Sequence, residues 1–478
     1  MRWILVWLVG WTLLPGCSSH VHRLQKPRQQ FLAGDLLAAQ ESLSEQLNKR
    51  RSRDRDVVAL DLAIVQLCQG QPREAEQVLR HVRDQFDHLE QASLAESFTA
   101  LMTDDQRHAY AGEDYEKVLV RVFLALSNLM HDGGDVESYC LQINEKQEQL
   151  FLAAQAAANS NQAAEGTDES AENATPPPSA DPNAESTPPP PVAEALPPAV
   201  PLHLQPLAVG PYLNGVLKEA THRHYDDAQR AYEQVVQLAP EFTAGPVDLE
   251  RAKFGHHSER GHGALYVIGL IDRGPIKVEQ AAVATSEALL IADRVLSAMG
   301  PHQIPPTLAP VKIPVVQVPY PVVSHLAIEL GPQQVYATET ICDIGRLAVQ
   351  YDEAARADRI ARAVVRRVVK KSAVVVAKDQ VAANSAIADL AMTAAGVAWE
   401  ATESADTRCW GLLPRAIQVR RCELPAGRYQ IPLRAVATTG EQGPAIPVTV
   451  DILDGRNTYV LGYFPDLQPI GQILVGSP

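Results

Sequence analysis

The sequence predicts an α+β protein: α-helical repeats in the N-terminal half, then a mixed helix-and-strand part with a small antiparallel β C-terminus. Three observations predict it. Apolar residues recur at three- and four-residue spacing from Phe31 to Leu150, interrupted by glycine turns. The same pattern returns from Tyr212 to Phe242. Short β-branched and aromatic runs separated by turn residues then fill the end of the chain.

The chain opens with Met1-Arg2, an apolar run from Trp3 to Leu14, and Pro15-Gly16-Cys17-Ser18-Ser19. A basic start, a short apolar core and a small residue before a cleavage site describe a secretory signal over 1–16. The run is shorter than the roughly 20 apolar residues a membrane-spanning helix needs. Leu14-Pro15-Gly16-Cys17 resembles the lipobox of bacterial lipoproteins, which implies lipidation at Cys17. Ser18, where an Asp would retain the protein at the inner membrane, resembles an outer-membrane address. Two or three acyl chains anchor a protein stably, one only marginally. The polar, basic stretch 17–30 is expected to be a lipidated tether.

The helical pairs follow. Phe31 to Ala39 ends one helix, turns at Gly34 and starts another. Leu60, Ala63, Ile64 and Leu67 share a face, Gly70-Gln71-Pro72 turns, and Ala75, Val78, Leu79 and Val82 form the facing stripe. Proline suits the first turn of a helix, where its missing N–H costs nothing. A third pair begins at Tyr115 and turns at Asp132-Gly133-Gly134. Gly34 and Gly70 are 36 residues apart, near the period of about 34 in tetratricopeptide repeats. Lone helix pairs cannot bury an apolar face, whereas stacked pairs share a continuous core and leave a concave face. The boundaries drawn are 31–150 and 205–255 for repeats and 151–204 for a disordered insertion rich in Ala and Pro. Its acidic residues, among them Glu165, Asp168 and Asp181, stand without a Lys or Arg, and Pro176 to Pro178 and Pro188 to Pro191 stiffen it.

A mixed module is assigned to 260–478. Ala264 to Ile271 is expected as a buried strand and Val311 to Val323 as extended edge chain. Thr338 to Glu403 is expected as a long, interrupted helical stretch. Ile417–Glu423, Tyr429–Ala435, Val448–Leu453 and Thr458–Phe464 are expected as strands of a small sandwich or meander, divided by turns at Pro425-Ala426-Gly427 and Asp454-Gly455-Arg456-Asn457.

The formal charge of −15 argues against nonspecific nucleic-acid binding, so no nucleic-acid partner is expected. Besides Cys17 there are five cysteines, and Cys409 with Cys422 is the one pair flanking a turn-and-strand segment where a disulfide is conceivable. No CxxC, GxSxG or GxxxxGK[ST] occurs. His256-His257-Ser258-Glu259-Arg260-Gly261-His262 is the one metal-like run; it matches no helix-borne ligand spacing and is expected to be loop histidines. No catalytic residue, metal or cofactor is assigned, and no enzyme is expected. The distinctive surface is basic: Arg359, Arg362, Arg366 and Lys370 recur along one helix face, beside Arg367 and Lys371, with Ile360, Val364 and Val368 on another side. Such a stripe is either the solvated face of an amphipathic helix packed on the strands or a surface suited to lipid headgroups or an acidic envelope polymer.

The order of these pieces, with Gly112-Glu113-Asp114-Tyr115-Glu116-Lys117-Val118-Leu119-Val120 and Glu403-Ser404-Ala405-Asp406-Thr407-Arg408-Cys409-Trp410-Gly411-Leu412-Leu413-Pro414 as the most specific segments, resembles a bacterial family of functionally uncharacterised tetratricopeptide-repeat lipoproteins. The likeness covers most of the chain outside 156–203. It implies a repeat fold and an envelope location and carries no activity. The expected function is therefore a membrane-anchored, non-catalytic adaptor at the periplasmic face of the outer membrane, holding another envelope protein or peptide in its repeat groove. The alternative is a module binding an envelope polymer or lipid headgroups through helix 359–378.

Overall fold

A computed structural model describes residues 20–49, 53–95, 109–172, 206–299, 310–331, 333–381 and 404–477. The fold is α+β, with helices concentrated in the N-terminal half and sheets toward the C-terminus. The helices run α1 (His20–Leu32), α2 (Leu36–Leu47), α3 (Arg55–Cys68), α4 (Pro72–Ala95), α5 (Asp114–Leu129), α6 (Val136–Glu172), α7 (Val209–Ala220), α8 (Tyr225–Leu238) and α9 (Ala244–Lys253). Each packs on the next along the chain. The expected glycine turns fall where the sequence places them. Gly34, Gly70 and Gly133 all hold positive φ between consecutive helices, a conformation that costs glycine little and other residues much.

Helices α3 and α5 are covered on every side, and every residue from Val57 to Cys68 and from Tyr115 to Leu129 is buried, the polar Asp61, Glu116, Lys117 and Arg121 among them. Most of those residues are apolar, as an interior helix requires, and buried charges are kept only where they are paired. Helix α4 instead buries one stripe, Ala75, Leu79, Val82 and Phe86.

What covers the far side of α3 and α5 is a sheet. Strands β1 (His262–Arg273), β6 (Glu339–Asp343), β7 (Pro414–Pro425), β10 (Asn457–Phe464) and β11 (Leu474–Gly476) form it in the order β11-β10-β1-β7-β6. Strand β1 pairs parallel with β10 and antiparallel with β7. The two-residue period of a strand divides it between two cores. Tyr266, Ile268 and Leu270 face the helices with Ile417, Val419, Tyr459, Leu461 and Tyr463. Leu265 and Val267, with Cys422, Leu424 and Val460, face a second sheet. That sheet, in the order β5-β4-β8-β9, is built from β4 (Val323–Gly331), β5 (Gln334–Ala337), β8 (Gly427–Ala437) and β9 (Ile446–Ile452). The layers are thus helices, sheet, sheet. A smaller unit at the side packs the hairpin β2 (Ile276–Ala282) and β3 (Val311–Gln317) on α10 (Ser286–Met299) and α12 (Arg356–Val381). Helix α11 (Ile344–Ala354) precedes α12.

Several expectations are corrected. From His20 onward the stretch drawn as a tether is helix α1. Leu24 and Phe31 are fully buried in the main core, and Arg28 pairs with Asp61 at 2.6 Å. Basic and polar residues fill most of this stretch, while two apolar anchors seven positions apart decide the structure. The boundary at 151 falls inside α6, which continues to Glu172. Ala153, Ala154 and Ala156 to Ala158 are strong helix formers. Residues 173–205 lie outside the described ones. The helical stretch expected from Thr338 starts later, because Glu339 to Asp343 adds an edge strand to β7. The C-terminal strands are read correctly, yet they form no separate module: β1 lies between β7 and β10, and the helices share their core. The face of the stack lined by α3 and α5, expected to be hollow, is therefore filled by the chain's own sheet. All five cysteines from Cys68 onward are buried thiols, so Cys409 and Cys422 form no disulfide.

Candidate anion-binding cavity

Helix α12 is held by its apolar side. Ile360, Val364 and Val368 are buried against α10 and β3 with Ala361 and Val365. This fixes the direction of the opposite, basic face. Arg359, Arg362 and Arg366 line a cavity of about 320 Å³. Across from them stand Lys277 of β2, Lys312 and Ile313 of β3, Tyr351 and Ala355 near the end of α11, the turn Gly112 to Asp114 before α5, and Ala405-Asp406. Three of the basic residues expected on this surface thus meet two lysines that sequence spacing did not reveal.

Arg359 is half-buried and pairs with Asp352 and, at 3.3 Å, with Glu113. Arg362 is exposed and donates weakly to the carbonyl of Asp358 at 3.4 Å. Arg366 is half-buried. Arg367 departs from the expectation. It is buried on another side of the helix and donates to the carbonyl of Pro310 at 3.1 Å, so it does not line the cavity. The side chains of Lys370 and Lys371 lie outside the described residues, as does Cys17.

Lys277 is buried, with Nζ on Glu113. Burial works against its charge, but Glu113 and Glu116 more than compensate and raise its pKa. Burial likewise opposes charge on Glu113, yet Lys277 first and Arg359 second outweigh it and hold the carboxyl at about 2. The other charges nearby are engaged outward. Lys312 pairs with Glu279 at 2.9 Å, Asp114 with Lys117 at 2.7 Å, and Asp406 with Arg408 at 2.7 Å. Glu279 also accepts the backbone N–H of Ala405 at 2.8 Å, which fastens the 404–414 segment to the hairpin. Gly112 has φ +72, and a Cβ there would run into the ring of Phe86. The turn that presents Glu113 therefore requires glycine.

Nothing in the sequence flagged Lys277 or Lys312, since the β2–β3 hairpin carries only partial alternation. Glu113 stands in a segment singled out by resemblance, without a role.

The histidine run resolves into structure. His257 is buried, its Nε2 against Oδ1 of Asn457 at 2.7 Å. Among the described residues, Glu259, His262 and Glu423 come close enough to share an ion. Glu423 already accepts the N–H of Glu259 at 2.6 Å and pairs with Arg421. A second cleft of about 660 Å³ opens on the outer face of α4, α5 and α6, between Asp87, Glu90, Arg121, Lys146 and Gln149. There Arg121 grips Asp87 with two bonds of 2.7 and 2.8 Å.

Among the described residues no helix is long and apolar enough to cross a membrane. No protein-family model, curated protein or solved structure matches the chain.

Proposed function

We propose that this protein is a lipid-anchored, non-catalytic binding protein of the bacterial cell envelope that takes an anionic envelope ligand in the cavity beside α12. The convergence of Lys277, Lys312, Arg359, Arg362 and Arg366 from a hairpin and a helix supports the reading. Guanidinium forks match phosphate and carboxylate oxygens in pairs, and a cleft of this volume suits a small group or a polymer's terminal unit. The anchor is Cys17, and the location is the outer membrane facing the periplasm. The consecutive helix pairs with glycine turns support a tetratricopeptide-type origin for the helical layer.

The test uses the full chain in detergent, with purified cell-wall sacculi and immobilised anionic phospholipid as ligands. Binding that falls at least tenfold in Arg362→Glu and Arg366→Glu supports the reading; binding that is unchanged removes it. A Cys17→Ser chain that still fractionates with membranes would remove the anchor.

One observation favours a second reading, an adaptor for another envelope protein. The cleft on α4 to α6 is the larger of the two and is lined by residues of those helices alone. A partner peptide there replaces the groove expected from the sequence. Pull-down from envelope extract, repeated with Lys146→Glu, distinguishes it from the cavity beside α12.

A further inference from the structure

Resting on the anion-binding reading above, we propose that Glu113 is the cavity's resident anion: its carboxylate stands where a phosphate monoester of the ligand docks, and the ligand binds by displacing it from Lys277 and Arg359.

The exposures of the three partners differ in the way this requires. The side chain of Lys277 is 4% exposed and that of Arg359 is 13%, whereas Glu113 is 28% exposed. The carboxylate is therefore the member nearest solvent, and the two cations are the floor. Both cations are held independently of it. Lys277 stands on β2 inside a registered hairpin, and Arg359 is also gripped by Asp352. Glu113 is held less firmly. It precedes the first residue of α5 with extended backbone, φ −75 and ψ 156, and its carboxylate forms a capping box with Glu116. In the other half of that box Oε2 of Glu116 accepts the backbone N–H of Glu113 at 3.1 Å. Rotation of the Glu113 side chain toward solvent gives up its own half of the box and keeps the half that Glu116 supplies.

Charge selects the ligand class. With Glu113 displaced, Lys277, Arg359 and Arg362 face Asp352 alone, which leaves two positive charges unbalanced, and Arg362 lies one turn from Arg359 along the same helix face. A phosphate monoester carries close to two negative charges and three acceptor oxygens near neutrality. It matches Lys277 and Arg359 together and leaves an oxygen for Arg362, which a monocarboxylate or a phosphodiester does less well. The cavity volume admits such a group with the first atoms of its carrier and excludes a folded segment.

The experiment is titration calorimetry on the full-length protein in detergent, with inorganic pyrophosphate as the probe. Wild type, Glu113→Gln and Glu113→Asp are compared. Glu113→Gln is expected to bind about tenfold tighter than wild type, and Glu113→Asp, whose charge is drawn back by one methylene, to lie between. Arg362→Glu is expected to weaken binding in either background. If wild type binds and neither Glu113 variant binds more tightly, the displacement is wrong and the anion cavity stands. If wild type and both variants all fail to bind, the cavity reading falls too. Should Glu113→Gln not fold, Glu113→Asp against wild type decides. Dihexanoyl phosphatidic acid, below its micelle concentration, separates the sources. Tighter binding than pyrophosphate assigns the phosphate to a lipid, and weaker binding assigns it to a soluble or polymeric donor.

Discussion

The backbone N–H of Trp410 donates to Oε1 of Glu116 across 2.9 Å, joining residues 294 positions apart. The other oxygen of that carboxylate accepts the N–H of Glu113 and the hydroxyl of Tyr110. The indole lies against Phe123, ring centres 5.2 Å apart. The described residues of the two segments most distinctive in the sequence, 112–120 and 403–414, meet in one buried joint between helix layer and sheet. Burial pushes the Glu116 carboxyl above its ordinary range.

Glu116→Ala strips an acceptor from two buried donors, the Tyr110 hydroxyl and the Trp410 N–H, and from the part-buried N–H of Glu113. Each orphaned buried donor costs on the order of 1–3 kcal/mol. A loss of about 3 kcal/mol in urea denaturation is expected, with a smaller loss for Glu116→Gln, which keeps one oxygen. An unchanged midpoint for Glu116→Ala would show that the joint carries no stability.

Glu113 makes the fold acid-sensitive in a defined window. Its folded pKa of about 2 lies below its ordinary value of 4.5. Its contribution is therefore complete above that ordinary value and disappears as pH falls toward the folded one. The stability gap between wild type and Glu113→Gln, measured by denaturant melts, should be roughly 2–3 kcal/mol at neutral pH and close progressively over this interval. A gap that widens with acid has the wrong sign for this ion pair.

Helix α1 is fastened by one arginine. Arg28 donates to Asp61 at 2.6 Å and to the carbonyl of Cys409 at 2.8 Å, and Asp61 also accepts the N–H of Leu412 at 3.2 Å. Arg28→Ala leaves a fully buried carboxylate without its guanidinium, at a cost of about 3 kcal/mol. Limited proteolysis is expected to cut first within 20–35 in that variant. Gly411→Ala should act similarly, because a Cβ there collides with the Arg28 guanidinium.

The five interior cysteines are inert in the native state. Burial raises the thiol of Cys140 and of Cys342 to about 12 and that of Cys422 to about 11, and raises Cys68 and Cys409 as well. A thiol in that state supplies almost no thiolate at neutral pH. In a Cys17→Ser chain, a thiol reagent should label none of them before denaturation and all five after it.

How much of this was legible depends on the range of the interaction. Gly34, Gly70 and Gly133 marked their turns because the constraint is local to one backbone position. Strands β7 to β10 were legible through alternation and the turns between them. The parallel pairing of β1 with β10 was not, since register between segments some 190 residues apart leaves no local trace. Helix α1 was missed because Leu24 and Phe31 are widely spaced among polar and basic residues, and the pairing of Arg28 with Asp61 is tertiary. In the cavity, Arg359, Arg362 and Arg366 were found by helical spacing. Lys277 and Lys312 were not, for their meeting with those arginines is set entirely by tertiary packing. Arg367 follows its neighbour in sequence but not in space, because adjacent helical residues point about 100° apart.

The place of β1 in the central sheet also governs how the molecule is made. Its two partners are β7 and β10, both far along the chain from it. Until those strands emerge from synthesis, β1 has no hydrogen-bonding neighbour, and α3 and α5 present their greasy flanks to water. The sheet closes only when segments far apart in sequence meet, and such non-local pairing slows folding.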